Sequence, residues 1–362
     1  MSTGLLEVAE RVWPVLLFVV LIQVVADLCD EAGLFDISAH VAARIAGGSR
    51  LALFLLFTAL ATVSTWVLSI DTTAVLLAPI GLAMATELGL SALPFAFASI
   101  WLANCASLLL PVSNLTNLLA QDRLGVGAAG FVREMWAPQL AVLLVVVATL
   151  VLRHRVALRG SYEVPRRLPS YDPVLLWVSA VVVALIGPAI VLGMDAWVVA
   201  LGACAMLVAA FVVRRPRVVH PARLAALVPW PVLGFAIALF VVVEVLAEHS
   251  TELFASAFGS GESLADLARL AAVSTGLANV ANNLPAYLVV EPFAGSSARL
   301  VTVLVAVNVG PMLLAWGSLA NLLWLRACRS RGLEISWVRF GLEGLLVVPV
   351  AVAAGVAVGW LT

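Results

Sequence analysis

Apolar residues run along this chain in long unbroken stretches, and the polar residues that interrupt them fall in short clusters. Leu, Val and Ala fill residues 13–29, 92–120, 135–152, 173–192, 196–213, 229–247, 298–326 and 337–361. Each stretch approaches or exceeds the roughly 20 residues a helix needs to cross about 30 Å of hydrocarbon. Barrel strands would alternate polar and apolar positions, so the stretches predict helices. Two further apolar runs, 51–88 and 264–292, are broken in the middle by polar residues.

Composition removes most other classes. The 362 residues are 63% hydrophobic and 11% charged, with mean hydropathy +1.11. Soluble domains carry about 25% charged residues. A soluble enzyme, a nucleic-acid binder, a disordered chain and a disulfide-stapled domain are thereby excluded, and a polytopic membrane protein remains. The N-terminal run from Trp13 follows Glu7, Glu10 and Arg11 rather than a basic leader, so it reads as a retained span. The four cysteines (Cys29, Cys105, Cys204, Cys328) are scattered and suggest no metal site, and no cofactor is implied.

Arginine supplies all 20 basic residues, and its placement sets topology. Arg153, Arg155, Arg159, Arg166 and Arg167 form one cluster; Arg214, Arg215, Arg217 and Arg223 a second; Arg326, Arg329, Arg331 and Arg339 a third. These share a side, together with Arg44 and Arg50, only if 51–88 and 264–292 do not cross. The expectation is eight crossings plus two re-entrant hairpins entering from opposite faces, with the basic loops cytoplasmic in a plasma membrane.

An internal repeat supports the same map. Asn104 to Leu119 and Asn308 to Leu323 align with Asn104 on Asn308 and Asn117 on Asn321, and Val63-Ser64-Thr65 has a match in Val273-Ser274-Thr275. A hairpin followed by a broken span occurs twice, in inverted orientation. The fold expected is therefore an all-α inverted-repeat transporter with two re-entrant helical hairpins and two broken transmembrane helices. Its parts are a first repeat at 1–153, basic loops with a linking helical pair at 154–223, and a second repeat at 224–362.

Interrupted helices leave amides and carbonyls free inside the membrane, and a polar solute can satisfy them. The breakers are Pro79, Pro111, Pro285 and Pro311. The first hairpin is expected to turn at Asp71-Thr72-Thr73 and the second within Asn279 to Pro285. The first broken span offers Asn104, Ser107, Ser113, Asn114, Thr116 and Asn117. The second hairpin offers Asn279, Asn282 and Asn283, and the second broken span Asn308, Gly310, Gly317, Ser318 and Asn321. All eight asparagines of the chain lie in these segments. Asn is a loop and cap residue by habit, so its confinement to apolar segments is the most specific signal here. Asp71 is the only acid at the centre of an interruption and is the candidate proton carrier. Glu244, near the end of its span, is a weaker candidate that can snorkel to the interface.

These residues resemble the ion transporter superfamily, most closely the ArsB-type arsenite efflux permeases. The likeness rests on Asp71-Thr72-Thr73 leading to Pro79, and on Ala106-Ser107-Leu108 with Val112-Ser113-Asn114-Leu115. It continues in Asn282-Asn283-Leu284-Pro285 and in Gly310-Pro311 with Gly317-Ser318-Leu319-Ala320. Asn104 and Asn308 stand where the family often has Asp, Ile70 where it has Asn, and Met312 where it has a basic residue. The resemblance implies secondary transport of arsenite or antimonite in exchange for protons, and a homodimer. No enzymatic activity is expected, because His40, His154, His220 and His249 sit in loops or span ends and Asp71 has no acidic partner in the sequence. The composition leaves no nucleic-acid partner. Trihydroxy-arsenic is neutral, and the four polar segments contain no cation, which suits such a solute. The alternative within the same fold is a carboxylate or other anion carrier coupled to sodium or protons, with helix N-termini holding the anion and Asn carbonyls the sodium.

Overall fold

In a computed structural model, residues 2–165, 169–220 and 257–362 are described, with Ala222, Arg223, Ala226, Val228, Trp230 and Gly234 between the last two stretches. Apart from Trp230 and Gly234, the predicted span 229–247 lies outside the described residues, as do Glu244, Arg166 and Arg167. The described elements are helices, and the only strand-like pairing among them is one bridge, Ser49 to Ser161.

Helix α1 (Ser2–Glu31) is followed by α2 (Leu34–Ile45), α3 (Arg50–Leu68) and α4 (Ile70–Glu87). Within α4 the turn Thr73–Leu77 is wide, just before Pro79, which has no amide to give to the turn above it. Next come α5 (Ala92–Cys105), α6 (Leu115–Leu124), α7 (Ala128–Arg153), α8 (Pro173–Val191) and α9 (Ala196–Arg214). The second half contains α10 (Leu264–Ala281), α11 (Asn283–Val290), α12 (Ser297–Val309), α13 (Leu319–Ser330) and α14 (Trp337–Leu361). Seven of the eight expected crossings are described: α1, α5–α6, α7, α8, α9, α12–α13 and α14. Helix α2 was not foreseen; Phe35, Ala39, Ala42 and Ala43 bury one face of it while Arg44 stays in water.

Both re-entrant hairpins are present. Phe57 packs on Gly81, where a Cβ would stand 2.6 Å from the ring. The two residues are equidistant from Ser69, so α3 and α4 run antiparallel rather than end to end. His40 of α2 bonds Glu87 at 3.2 Å, bringing the far end of α4 back to the start of α3. In the second hairpin, the Arg299 guanidinium donates to Phe258, Gly259 and Gly261 before α10 and to Phe293 after α11. Both ends of that hairpin therefore share a face as well.

Helix α7 shows that the faces are opposite. Ser297, beside the second hairpin's base, donates to Glu134 near the start of α7 at 2.7 Å. The loop after α7 holds Arg50 at the base of the first hairpin, through Arg50 Nε to Ser161 O at 3.0 Å. On this basic face Arg223 also pairs with Glu31 at 2.7 Å and Arg214 with Asp172 at 2.8 Å. The core lies between α5, α7, α12 and α14, with Trp101, Phe97, Trp324 and Phe340 buried on one side of it.

Candidate functional site

Each hairpin turns on a residue with positive φ: Ser69 at φ 108, ψ 165 and Asn282 at φ 85, ψ 158. They are the only non-glycine residues of that kind among those described. This region of backbone space is almost reserved for glycine and costs about 1–3 kcal/mol for other residues. The first turn thus falls two residues before the expected Asp71, which sits in the first turn of the returning helix. The second falls within the expected segment. Counted from these turns, the two Val-Ser-Thr triplets are out of register, since Ser64 precedes its turn by five residues and Ser274 by eight.

The broken spans are related by a constant offset of 204 residues, and their bonding repeats with it. Asn117 Nδ2 donates to Ser107 O (2.5 Å) and Leu110 O (3.1 Å); Asn321 Nδ2 donates to Pro311 O (2.8 Å) and Leu314 O (3.2 Å). Each amide closes the carbonyls freed by its own break. Asn104 Nδ2 then donates to Asn321 Oδ1 at 2.9 Å, and Asn308 Nδ2 to Asn117 Oδ1 at 3.2 Å. All four side chains are fully buried. Four asparagines thus clasp the two repeats across a pseudo-two-fold axis.

The symmetry fails in one part of the clasp. Asn308 Oδ1 accepts from Asn114 Nδ2 (2.5 Å) and Thr116 Oγ1 (3.2 Å). The equivalents of those donors are Ser318 and Ala320, and Asn104 Oδ1 is left buried without a partner. Asn114 and Ser318 also cap α6 and α13, accepting from Thr116 N at 3.4 Å and Asn321 N at 3.2 Å.

Each hairpin is tied to the break of its own repeat. Ser113 Oγ donates to Trp66 O at 3.0 Å. Asn279 donates to Gly310 O (2.8 Å) and accepts from Leu314 N (3.0 Å), while Trp316 Nε1 donates to Asn279 O (2.6 Å). Asn282 Nδ2 reaches Trp316 O (3.2 Å), and Asn283 N reaches Gly317 O (3.0 Å). Gly317 is required by close approach, because a Cβ there would lie 2.8 Å from Pro311 Cα and 3.1 Å from Asn279 Oδ1. At Gly310 a Cβ would press on Thr275 at 3.0 Å. Pro111 and Pro311 lie in the short turns Pro111–Ser113 and Gly310–Leu313, and Pro285 in the first turn of α11. Across the repeats, α4 packs against α13, and α11 against α6.

Several polar groups remain uncommitted. Asp71 is half-buried, and among the described residues its carboxylate has no hydrogen bond or ion pair. The buried Asn283 side chain likewise bonds nothing. Trp66 Nε1, Ser274 Oγ and Thr275 Oγ1 are buried without partners. By contrast Thr72 is spent on Leu68 O (3.1 Å), Thr73 accepts from Thr65 (2.9 Å), and Ser107 donates to Asn104 O (2.7 Å). Trp66 and Gln139 were missed in the sequence. Gln139 of α7 accepts from Leu108 N at 3.0 Å and donates to Cys105 O at 3.1 Å, and a lone Gln in an apolar helix was the available signal. No group of three or more His, Cys, Asp or Glu able to hold a metal occurs among the described residues.

Paired hairpins and broken helices in inverted orientation, meeting around uncommitted polar groups, define an integral multi-pass membrane transporter. The family described as citrate transporter (CitMHS) matches residues 2–320, and the chain belongs to it. It is 28% identical over 369 residues to the "Arsenical pump membrane protein" of Escherichia coli K12, covering 93% of this chain and 83% of that protein. The protein of the same name from Yersinia enterocolitica is 27% identical, at the same coverage. A "46 kDa membrane protein" of Mycobacterium leprae is 23% identical, covering 96% and 86%. Among solved structures, the YdaH transporter of Alcanivorax borkumensis superposes with TM-score 0.59 at 13% identity, covering 96% of this chain and 84% of that one. This last likeness supports the fold.

Proposed function

We propose that this protein exports arsenite or antimonite in exchange for protons, with its basic loops in the cytoplasm of a plasma membrane. Residues 1–153 and 224–362 act as the two repeats, and 154–223 links them. The solute lies between the two hairpin tips. The observation that carries this reading is the set of uncommitted groups on the two hairpins and the first broken span: the Asp71 carboxylate, the Asn283 amide, Trp66 Nε1, Ser274 Oγ, Thr275 Oγ1 and Asn104 Oδ1. Donors and acceptors are mixed in it, and its segments contain no cation. Such a set matches a small neutral solute bearing several hydroxyls, which both donate and accept. Relatives named for an arsenical pump support the cargo.

The asparagines at 104, 117, 308 and 321 then serve chiefly as frame, with Asn104 Oδ1 the one part of the clasp free for cargo. Asp71 carries the proton. It lies two residues before the wide turn Thr73–Leu77, a deformation often found at functional sites.

The family description favours a second reading, a carboxylate carrier. The capped N-termini of α6 and α13 would then face the anion. Proteoliposomes offered arsenite, citrate and sodium separately distinguish the two. Arsenite flux driven by a pH gradient, lost in Asp71→Asn while the protein still folds, is the expected result. Full pH-driven arsenite uptake by Asp71→Asn rejects Asp71 as the carrier, and citrate flux without arsenite flux rejects the cargo.

A further inference from the structure

Ser69 occupies the N-cap of the returning helix α4, and Asp71 is the second residue of that helix. An acid so placed can accept from the free amides of the turn. Asp71 accepts from none of them: among the described residues its carboxylate has no bond, and Thr73 N donates to Ser69 O instead. Its carboxylate is therefore not spent on holding the hairpin tip. Two other acids buried or half-buried in the spans are spoken for, Asp27 by Gln23 at 3.2 Å and Glu343 by Arg153 at 2.8 Å.

No charge stands near enough to serve Asp71 as a partner. The described helices packed on this part of α4 are α3, α5 and α13. Helix α5 has no charged residue. On α3 only Arg50 is charged, at the far end, and on α13 Arg326 and Arg329 lie in the second half. Helix α4 itself adds only Glu87, its last residue. An ionised carboxylate alone inside a membrane protein is costly, so what satisfies it has to come from outside the chain. Asp71 is only half-buried, which leaves a solute room to reach it.

An ionised carboxylate is a pure acceptor at both oxygens, whereas a protonated one donates at one oxygen and carries no charge. A neutral solute with several hydroxyls donates to both oxygens of the first form and to one of the second. Charge-assisted bonds are also about twice as strong as neutral ones. We propose that the Asp71 carboxylate is itself a ligand for the cargo, taking two of its O–H groups, so that proton and cargo compete for one group. This rests on the neutral cargo and the proton exchange proposed above, and it supplies their coupling. A proton from the outer water adds to one carboxylate oxygen, the solute leaves with its own protons, and the carboxyl later gives that proton to the cytoplasm. Mutual exclusion of the two is the condition for exchange rather than co-transport. An anion that offers only acceptors finds no bond at Asp71.

The test is equilibrium binding of arsenite to the full-length protein in lipid nanodiscs, from about pH 8 to about pH 5. The parent should bind arsenite about tenfold or more weakly at the acid end than at the alkaline end. Asp71→Asn, which resembles the protonated carboxyl in shape and charge, should bind equally weakly at every pH. Should that variant not purify, the parent alone decides: arsenite added to weakly buffered protein at the acid end should release protons, up to about one per solute bound. Affinity that ignores pH or rises with acid, a pH dependence that survives Asp71→Asn, or binding without proton release would each overturn the proposal. A parent that neither binds nor moves arsenite at any pH refutes the cargo and this inference with it. Arsenite flux driven by a pH gradient, with binding independent of pH, refutes the competition alone.

Discussion

Replacing Asn117 by alanine tests the clasp most directly. The substitution removes three bonds of 3.2 Å or shorter: Nδ2 to Ser107 O, Nδ2 to Leu110 O, and the acceptor for Asn308 Nδ2. A longer one, from Thr116 Oγ1 at 3.5 Å, goes with them, and Thr116 keeps Asn308 Oδ1 as its acceptor. Leu110 O keeps a second donor, Ser113 N at 3.2 Å, but Ser107 O and Asn308 Nδ2 lose side-chain partners that no other side chain replaces. Orphaned buried polar groups cost about 1–3 kcal/mol each. Hydrogen bonds between membrane helices are worth less, about 0.6 kcal/mol on average and about 1.7 at most, because the unfolded helices also find partners in lipid. Three bonds on that scale and two orphans on the other agree on a loss of about 2–5 kcal/mol. Asn321→Ala should cost the same within about 1 kcal/mol, since its bonds repeat those of Asn117. Asn282→Ala, which loses one bond at a half-buried position, should cost under about 1 kcal/mol. Unfolding free energies measured by steric trapping in bicelles give the ranking. If Asn117→Ala and Asn321→Ala fall no lower than Asn282→Ala, the asparagines do not hold the repeats together.

Ser69 sits where an ordinary side chain is strained, so Ser69→Gly should be at least as stable as Ser69→Ala, reversing the usual helix order; a more stable alanine variant would refute the strain. His154, just outside the last turn of α7, has its pKa lowered from 6.5, chiefly by burial and also by Arg153 and Arg339, against a raising effect of Glu343. The folded state therefore binds that proton less well than the unfolded chain, and stability should fall as the pH drops below about 6.5 towards the lowered value. His154→Phe should remove that component of a Tm-against-pH curve, and an unchanged curve would refute it.

Periodicity and polar clusters were enough to read the two hairpins, the two broken spans and their inversion. Crossing a bilayer constrains helix length and leaves few ways to place a run such as 264–292. Asn104, Asn117, Asn308 and Asn321 stood out for the same reason. Their pairing did not: Asn104 bonds Asn321 and not its own repeat's Asn117, a contact fixed only when the repeats meet. The turn at Ser69 escaped notice because a serine carries no mark of positive φ, whereas the neighbouring Asp71 draws the eye. Arg153 read as one charge in a basic loop, yet it spans 190 residues to Glu343. Helix α2, lying on the basic face, was hidden by its shortness and mixed polarity.

Arg299 rivets both feet of the second hairpin to one guanidinium, through five bonds to four backbone carbonyls. Among the described residues the first hairpin has no such rivet; its returning arm is bonded to α2 through His40 and Glu87. The two hairpins are therefore footed differently: one guanidinium gathers both feet of the second, while the feet of the first are held by separate partners, Ser161 at its start and His40 at its end.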